Sequence, residues 1–159
     1  MSKASVLRDA VIVELQSAIP STTATVEAVI LPEYEREDLV NSPRVAVRYA
    51  ERSRLDATMG PDVTRVMIEV AIVGVLPDRL SSSQATYNAA QVAALDALDG
   101  IAETVIDLFV PNGSLASVNI GEHRFVDINQ PAAFDAEKMS DETQFLSIIE
   151  LVFEDLGDE

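Results

Sequence analysis

The chain has 159 residues, 48% of them hydrophobic, the size of one domain that on folding buries ~70% of the surface its unfolded chain exposes. Eleven Lys and Arg against 27 Asp and Glu leave a formal charge of −16, which excludes bulk-charge binding to a nucleic-acid backbone and attraction to an anionic membrane surface. The absence of Cys excludes a disulfide framework, thiolate catalysis, Cys-ligated zinc and iron–sulfur clusters, and a single histidine, His123, excludes any site needing two imidazoles from one chain.

Residues 4–19 read as a helix. Val6, Ala10, Val13 and Ser17 form one stripe, Leu7, Val11, Leu15 and Ala18 lie beside it, and Pro20 ends it. Arg8, Asp9 and Glu14 interrupt this opening segment, so it lacks the apolar stretch of a secretory leader. Residues 22–31 are β-branched and predict a strand, and residues 32–43 a charged, exposed connection.

Residues 44–55 alternate as a strand. Even positions carry Arg44, Arg48, Arg52 and Arg54, so regular pleating predicts four of the eleven cations on one face. Met59-Gly60-Pro61-Asp62 is a turn signal, and residues 63–76 form a second strand whose even set, Val66, Ile68, Val70 and Ile72, is apolar. The two predict a long antiparallel hairpin, with the even apolar set toward the helices, the arginines away from them, and an arm beyond the sheet near residues 52–65. Residues 70–77 are the longest charge-free apolar run, well short of the ~20 needed to cross a bilayer.

After a loop at 77–83, residues 84–110 carry Val92, Leu95, Leu98, Ala102, Val105 and Phe109 at helical spacing, with a kink or break allowed at Gly100. Pro111-Asn112-Gly113 ends this helix. Residues 115–120 and 124–128 predict two short strands around Gly121-Glu122, residues 130–143 a polar loop, and residues 144–154 a closing strand. The order predicts an α+β fold: a mostly antiparallel sheet with a long β-hairpin, and an N-terminal helix and one long central helix packed on one face. Residues 1–156 form a single domain and 157–159 a frayed tail.

Chemistry is sparse. No two of the six glycines are closer than Gly113 and Gly121, which builds neither a phosphate-cradling loop nor a dinucleotide fingerprint. His123 and Asp127 are the one His–carboxylate pair close in sequence, the pair a triad would use; Gly121-Glu122-His123-Arg124 instead reads as a turn with solvated side chains. Asp96, Asp99, Glu103 and Asp107 make one acidic stripe on the long helix, which holds no Lys or Arg. Helix carboxylates of this kind enter two-metal sites, but those sites also draw on Glu-x-x-His motifs; the other reading is a solvated face. The arginine face reads as a solvated surface, a phosphate site, or a contact with an acidic surface of a neighbouring subunit. A basic and an acidic stripe on one chain suit a heterologous, head-to-tail ring, so Arg44, Arg48, Arg52, Arg54, Asp96, Asp99, Glu103 and Asp107 are the candidate subunit interface. No catalytic, cofactor-binding or metal-binding residue is assigned. A small metal-dependent hydrolase and an adaptor binding a protein partner are the readings from other classes.

The chain resembles the tail terminator and tail-completion (neck) proteins of long-tailed bacteriophages. The resemblance is carried by Val6-Leu7-Arg8-Asp9-Ala10-Val11, Pro43-Arg44-Val45-Ala46-Val47, Val66-Met67-Ile68-Glu69-Val70-Ala71-Ile72 and Ile101-Ala102-Glu103-Thr104-Val105. It continues through the segment from Phe134-Asp135 to Met139 and closes on Gln144-Phe145-Leu146-Ser147-Ile148-Ile149-Glu150-Leu151. It is one of pattern and runs nearly end to end. It implies a non-enzymatic virion protein without cofactors, assembled in the host cytoplasm into a homo-oligomeric ring, commonly a hexamer. Its implied partners are the tail tube protein and a head-side neck or connector protein; a head-completion or stopper protein is the alternative within this group. DNA would pass through the bore without specific binding, since an acidic wall repels phosphate, and no membrane is involved.

Overall fold

A computed structural model describes residues 2–55, 63–77, 84–110, 119–120, 123–131, 135 and 144–155. In chain order these contain α1 (Lys3–Ala18), β1 (Thr25–Ala28), α2 (Arg36–Leu39), β2 (Arg44–Leu55), β3 (Val63–Val75), α3 (Gln84–Phe109), β4 (Asn119–Ile120), β5 (His123–Asn129) and β6 (Gln144–Asp155). The six strands form one sheet in the order β1-β2-β3-β6-β5-β4. Only β1 and β2 run parallel; every other neighbouring pair is antiparallel. The fold is α+β. No helix among the described residues is long and apolar enough to cross a membrane.

The hairpin is present: β2 pairs with β3 from Arg44↔Val73 to Leu55↔Val63. Beside it, β6 stays paired with β3 as far as Arg65, so only Thr64 and Val63 of β3 extend past that pairing; the expected turn at 59–62 lies outside the described residues. The apolar set Val66, Ile68, Val70 and Ile72 is buried in the main core with residues of α1 and α3. Val45 and Val47 of β2 and Phe145, Ile149, Leu151 and Phe153 of β6 complete that layer. Near one end of α3, Phe109, Phe125 and Phe153 cluster with centroids 5.1–6.3 Å apart, two pairs edge-on, the geometry that ring quadrupoles favour.

The α1 helix starts where Ser2 Oγ accepts the Ser5 N–H at 3.1 Å, satisfying one orphan donor of the first turn. It buries Ala4, Leu7, Val11 and Leu15. The stripe Val6, Ala10, Val13, Ser17 is not its core face: Val6 is 50% and Val13 63% exposed. The two stripes adjoin and the long side chains of Leu7 and Leu15 fill the space above the sheet, which Ala10 and Ser17 would leave empty.

The α3 helix runs unbroken through Gly100. Its second half buries Leu98, Ile101, Ala102, Val105 and Phe109, whereas no residue between Gln84 and Ala97 is buried. Gly74 of β3 lets this helix approach, since a Cβ there would meet Leu98 Cδ1 at 2.7 Å.

Two expectations need correction. The strand predicted at 22–31 pairs only over Thr25–Ala28. The connection at 32–43 contains α2, whose Glu35 and Asp38 form a reciprocal capping box. Leu39 of α2 packs with Ala46, Ala71 and Val73 on the opposite sheet face, while α1 and α3 share one face as expected. The strand expected at 115–120 is described only as Asn119–Ile120, and the loop at 130–143 falls largely outside the described residues.

Candidate subunit interface

The four arginines do not share a face. Between Tyr49 and Glu51 the β2 register shifts: Tyr49 is opposite Ile68, and Glu51 is opposite Met67. Ala50 is the extra residue of a β-bulge, and one extra residue inverts the alternation of everything after it. Arg44 and Arg48 therefore share the face of Ala46, away from α1 and α3. Arg52 is opposite Val66, in the register set of the helix-covered face, and the Arg54 backbone pairs with Thr64.

Their environments differ accordingly. The Arg48 guanidinium forks onto Glu69, donating from Nε to Oε1 and from Nη2 to Oε2, both at 2.9 Å. Glu69 is buried, and its hydrogen bonds raise the Arg48 pKa above the ordinary arginine value. Arg44 donates from Nη2 to the Asp38 carbonyl at 3.2 Å and lies 6.0 Å over the Tyr34 ring. That ring is pinned by its hydroxyl, which donates to Glu27 Oε1 at 2.6 Å; burial and the adjacent carboxylate push the phenol pKa well up. Arg44 and Arg48 thus hold this chain's own loop and sheet together. Arg52 is exposed, lies 5.8 Å over the Tyr49 ring, and has no ion pair among the described residues.

Asp96, Glu103 and Asp107 are exposed and Asp99 half-buried, on the side of α3 opposite its buried residues. No ion pair reaches these four among the described residues.

His123 is not in a solvated turn. It is buried, 3% exposed, in β5. A second bulge, between Phe125 and Asp127, puts Asp127 opposite Val152 while His123 is opposite Asp155. The two side chains of the sequence pair therefore lie on opposite faces of the sheet, and no triad geometry forms. Among the described residues no three His, Asp or Glu side chains group as metal ligands.

Three cations escaped the sequence reading, because their partners are distant in the chain. Arg124 donates to Glu154 Oε2 at 2.7 Å and Arg65 to Glu154 Oε1 at 3.2 Å. The three residues are one cross-strand row, Arg65↔Glu154↔Arg124. The Arg124 hydrogen bond, then that from Arg65, holds the Glu154 carboxyl below its usual range against the opposing effect of burial. On the other face Lys3 pairs with Asp155 at 3.5 Å. Lys3, Arg52, His123 and Asp155 line one open pocket of about 440 Å³ at the N-terminal end of α1. This end of the sheet thus carries Arg52, Arg65 and Arg124 together with Glu154 and the Lys3–Asp155 pair, whereas the outer side of α3 carries acids and no cation.

No protein-family model and no curated protein matches this chain.

Proposed function

We propose that the chain is a ring-forming tail terminator of a long-tailed bacteriophage, a structural virion protein that caps the tail tube and joins it to the head-side neck. The observation that carries the reading is the separation of charge. One helix presents four acids with no cation on it, while Arg52 is exposed elsewhere on the molecule, lining a pocket with the Lys3–Asp155 pair and joined by no ion pair among the described residues. Complementary patches at two different places on one chain are what a head-to-tail ring uses. The pattern resemblance supplies the biological setting.

The reading includes the tail tube protein and a head-side neck protein as partners. DNA passes through the bore without being bound, because a chain of −16 repels phosphate. No catalysis is assigned: His123 and Asp127 are separated by the sheet. Assembly takes place in the host cytoplasm and the protein ends in the virion.

Electron microscopy of tails assembled with and without the protein tests the role. The expected result is tubes of uncontrolled length in its absence and rings at the head-proximal tube end in its presence. Tubes of normal length that fail to join heads would contradict termination and assign the protein to the head side of the neck.

A further inference from the structure

The strap that joins β1 to α2 has no part in the ring contact. It carries Ile30, at 89% the most exposed large apolar side chain among the described residues, and beside it Leu31 at 54%. Single exposed apolar residues are ordinary on a protein surface. Here two stand side by side on a segment fastened at both ends. Val29 donates its N–H to the Val47 carbonyl at 3.0 Å. Tyr34 donates its hydroxyl to Glu27 Oε1 at 2.6 Å, and its carbonyl accepts from Gln144 Nε2 at 3.2 Å. Val29 and Tyr34 both pack on the small apolar cluster around Leu39. Between them the Glu33 N–H closes a tight turn onto the Leu31 carbonyl at 2.9 Å. Fixed contacts thus hold Ile30 and Leu31 out in water, and little backbone freedom is left to lose when a partner covers them.

Acids follow at once. Glu33, Glu35, Glu37 and Asp38 are exposed, and no ion pair among the described residues reaches any of them. Arg36, set among them, donates to the Leu76 carbonyl at 3.2 Å. An apolar tip beside unneutralised carboxylates is one half of a contact with an apolar centre and a charged rim.

We propose that the strap over residues 29–38 is a docking surface for a different protein, one that offers an apolar pocket bordered by Lys or Arg. Charge selects that partner. The carboxylates repel an acidic surface and draw in a basic one, orienting it before Ile30 and Leu31 are buried. A second copy of this chain, at −16, does not fit. Its Arg48, Arg65 and Arg124 are paired with its own glutamates, and the exposed Arg52 alone does not match four acids. The surface is distinct from the ring contact and the inference stands without it.

To test it, Ile30 is replaced by photoreactive benzoylphenylalanine in the full chain, and the protein is irradiated in the cells that produce it. Thr22, exposed on the turn before β1, carries the same probe as the control. The expected result is one adduct from position 30, absent from position 22, joined to a segment of another protein in which Lys or Arg flank apolar residues. That protein is then purified and its binding to the full chain measured. Ile30→Ser with Leu31→Ser, and Glu33→Lys with Glu37→Lys, should each weaken binding by about tenfold, and raised salt should weaken binding of the unsubstituted chain. Circular dichroism checks that each variant is folded. An adduct with a second copy, adducts spread over many proteins, or no adduct overturns the proposal, as does binding that charge reversal leaves unchanged. A single basic partner foreign to tail and neck would uphold this surface and contradict the terminator reading.

Discussion

Two glycines make opposite demands on this fold. Gly74 stands where α3 comes down on β3, and an added methyl there would run into Leu98. Gly74→Ala is therefore expected to destabilise by ~1–3 kcal/mol, the usual cost of overpacking a filled core. At Gly100 an added Cβ meets nothing within 4 Å, so Gly100→Ala should stabilise by ~0.5–1 kcal/mol through helix propensity. Urea denaturation of the two variants checks both signs. Arg48 offers a third residue-scale test. Its removal strands the buried Glu69 carboxylate, so Arg48→Ala should cost ~1–3 kcal/mol, and Arg48→Met combined with Glu69→Gln should recover part of that loss. Arg52→Ala, by contrast, removes no ion pair among the described residues and is expected to leave the melting midpoint nearly unchanged.

The row Arg65–Glu154–Arg124 ties three strands together at the hairpin end of the sheet. Because the folded Glu154 carboxyl is held below its ordinary value, the unfolded chain takes up the proton first. The stabilisation is therefore complete above the ordinary glutamate value of about 4.3 and fades as pH falls through the lowered folded value. Both arginines are about half exposed, so solvent screening limits each bridge to ~0.2–1 kcal/mol. Glu154→Gln is expected to lower stability modestly at neutral pH and to flatten the acid limb of the stability–pH curve. The elements themselves were largely legible from alternation and helical spacing: β2 falls on residues 44–55 as expected, and α3, β3 and β6 match to within a residue or so. The bulges were not. A parity count assumes an unbroken pleat, and one extra residue at Ala50 moved Arg52 to the other face, just as the bulge in β5 separated His123 from Asp127. The core face of α1 was ambiguous because two apolar stripes adjoin, and the four-residue α2 is too short to show any period.

At the scale of the whole molecule, most described cations are paired within the chain, but two features are not. The outer side of α3 carries Asp96, Asp99, Glu103 and Asp107 with no cation on that helix, and Arg52 is exposed with no ion pair among the described residues. If the first surface meets the second in a neighbour, assembly weakens as salt rises, since exposed charges are screened over ~8 Å at physiological ionic strength. The expected result is a sedimentation shift toward monomer between low and high salt, with Arg52→Glu more dissociated than the unsubstituted chain yet folded. The most direct test of the central claim, that this chain closes on itself head to tail, is the native mass of the assembly formed in solution or on tail tubes. A single closed species at a fixed multiple of the chain mass is predicted. A chain that remains monomeric in solution and is absent from purified tails would contradict it.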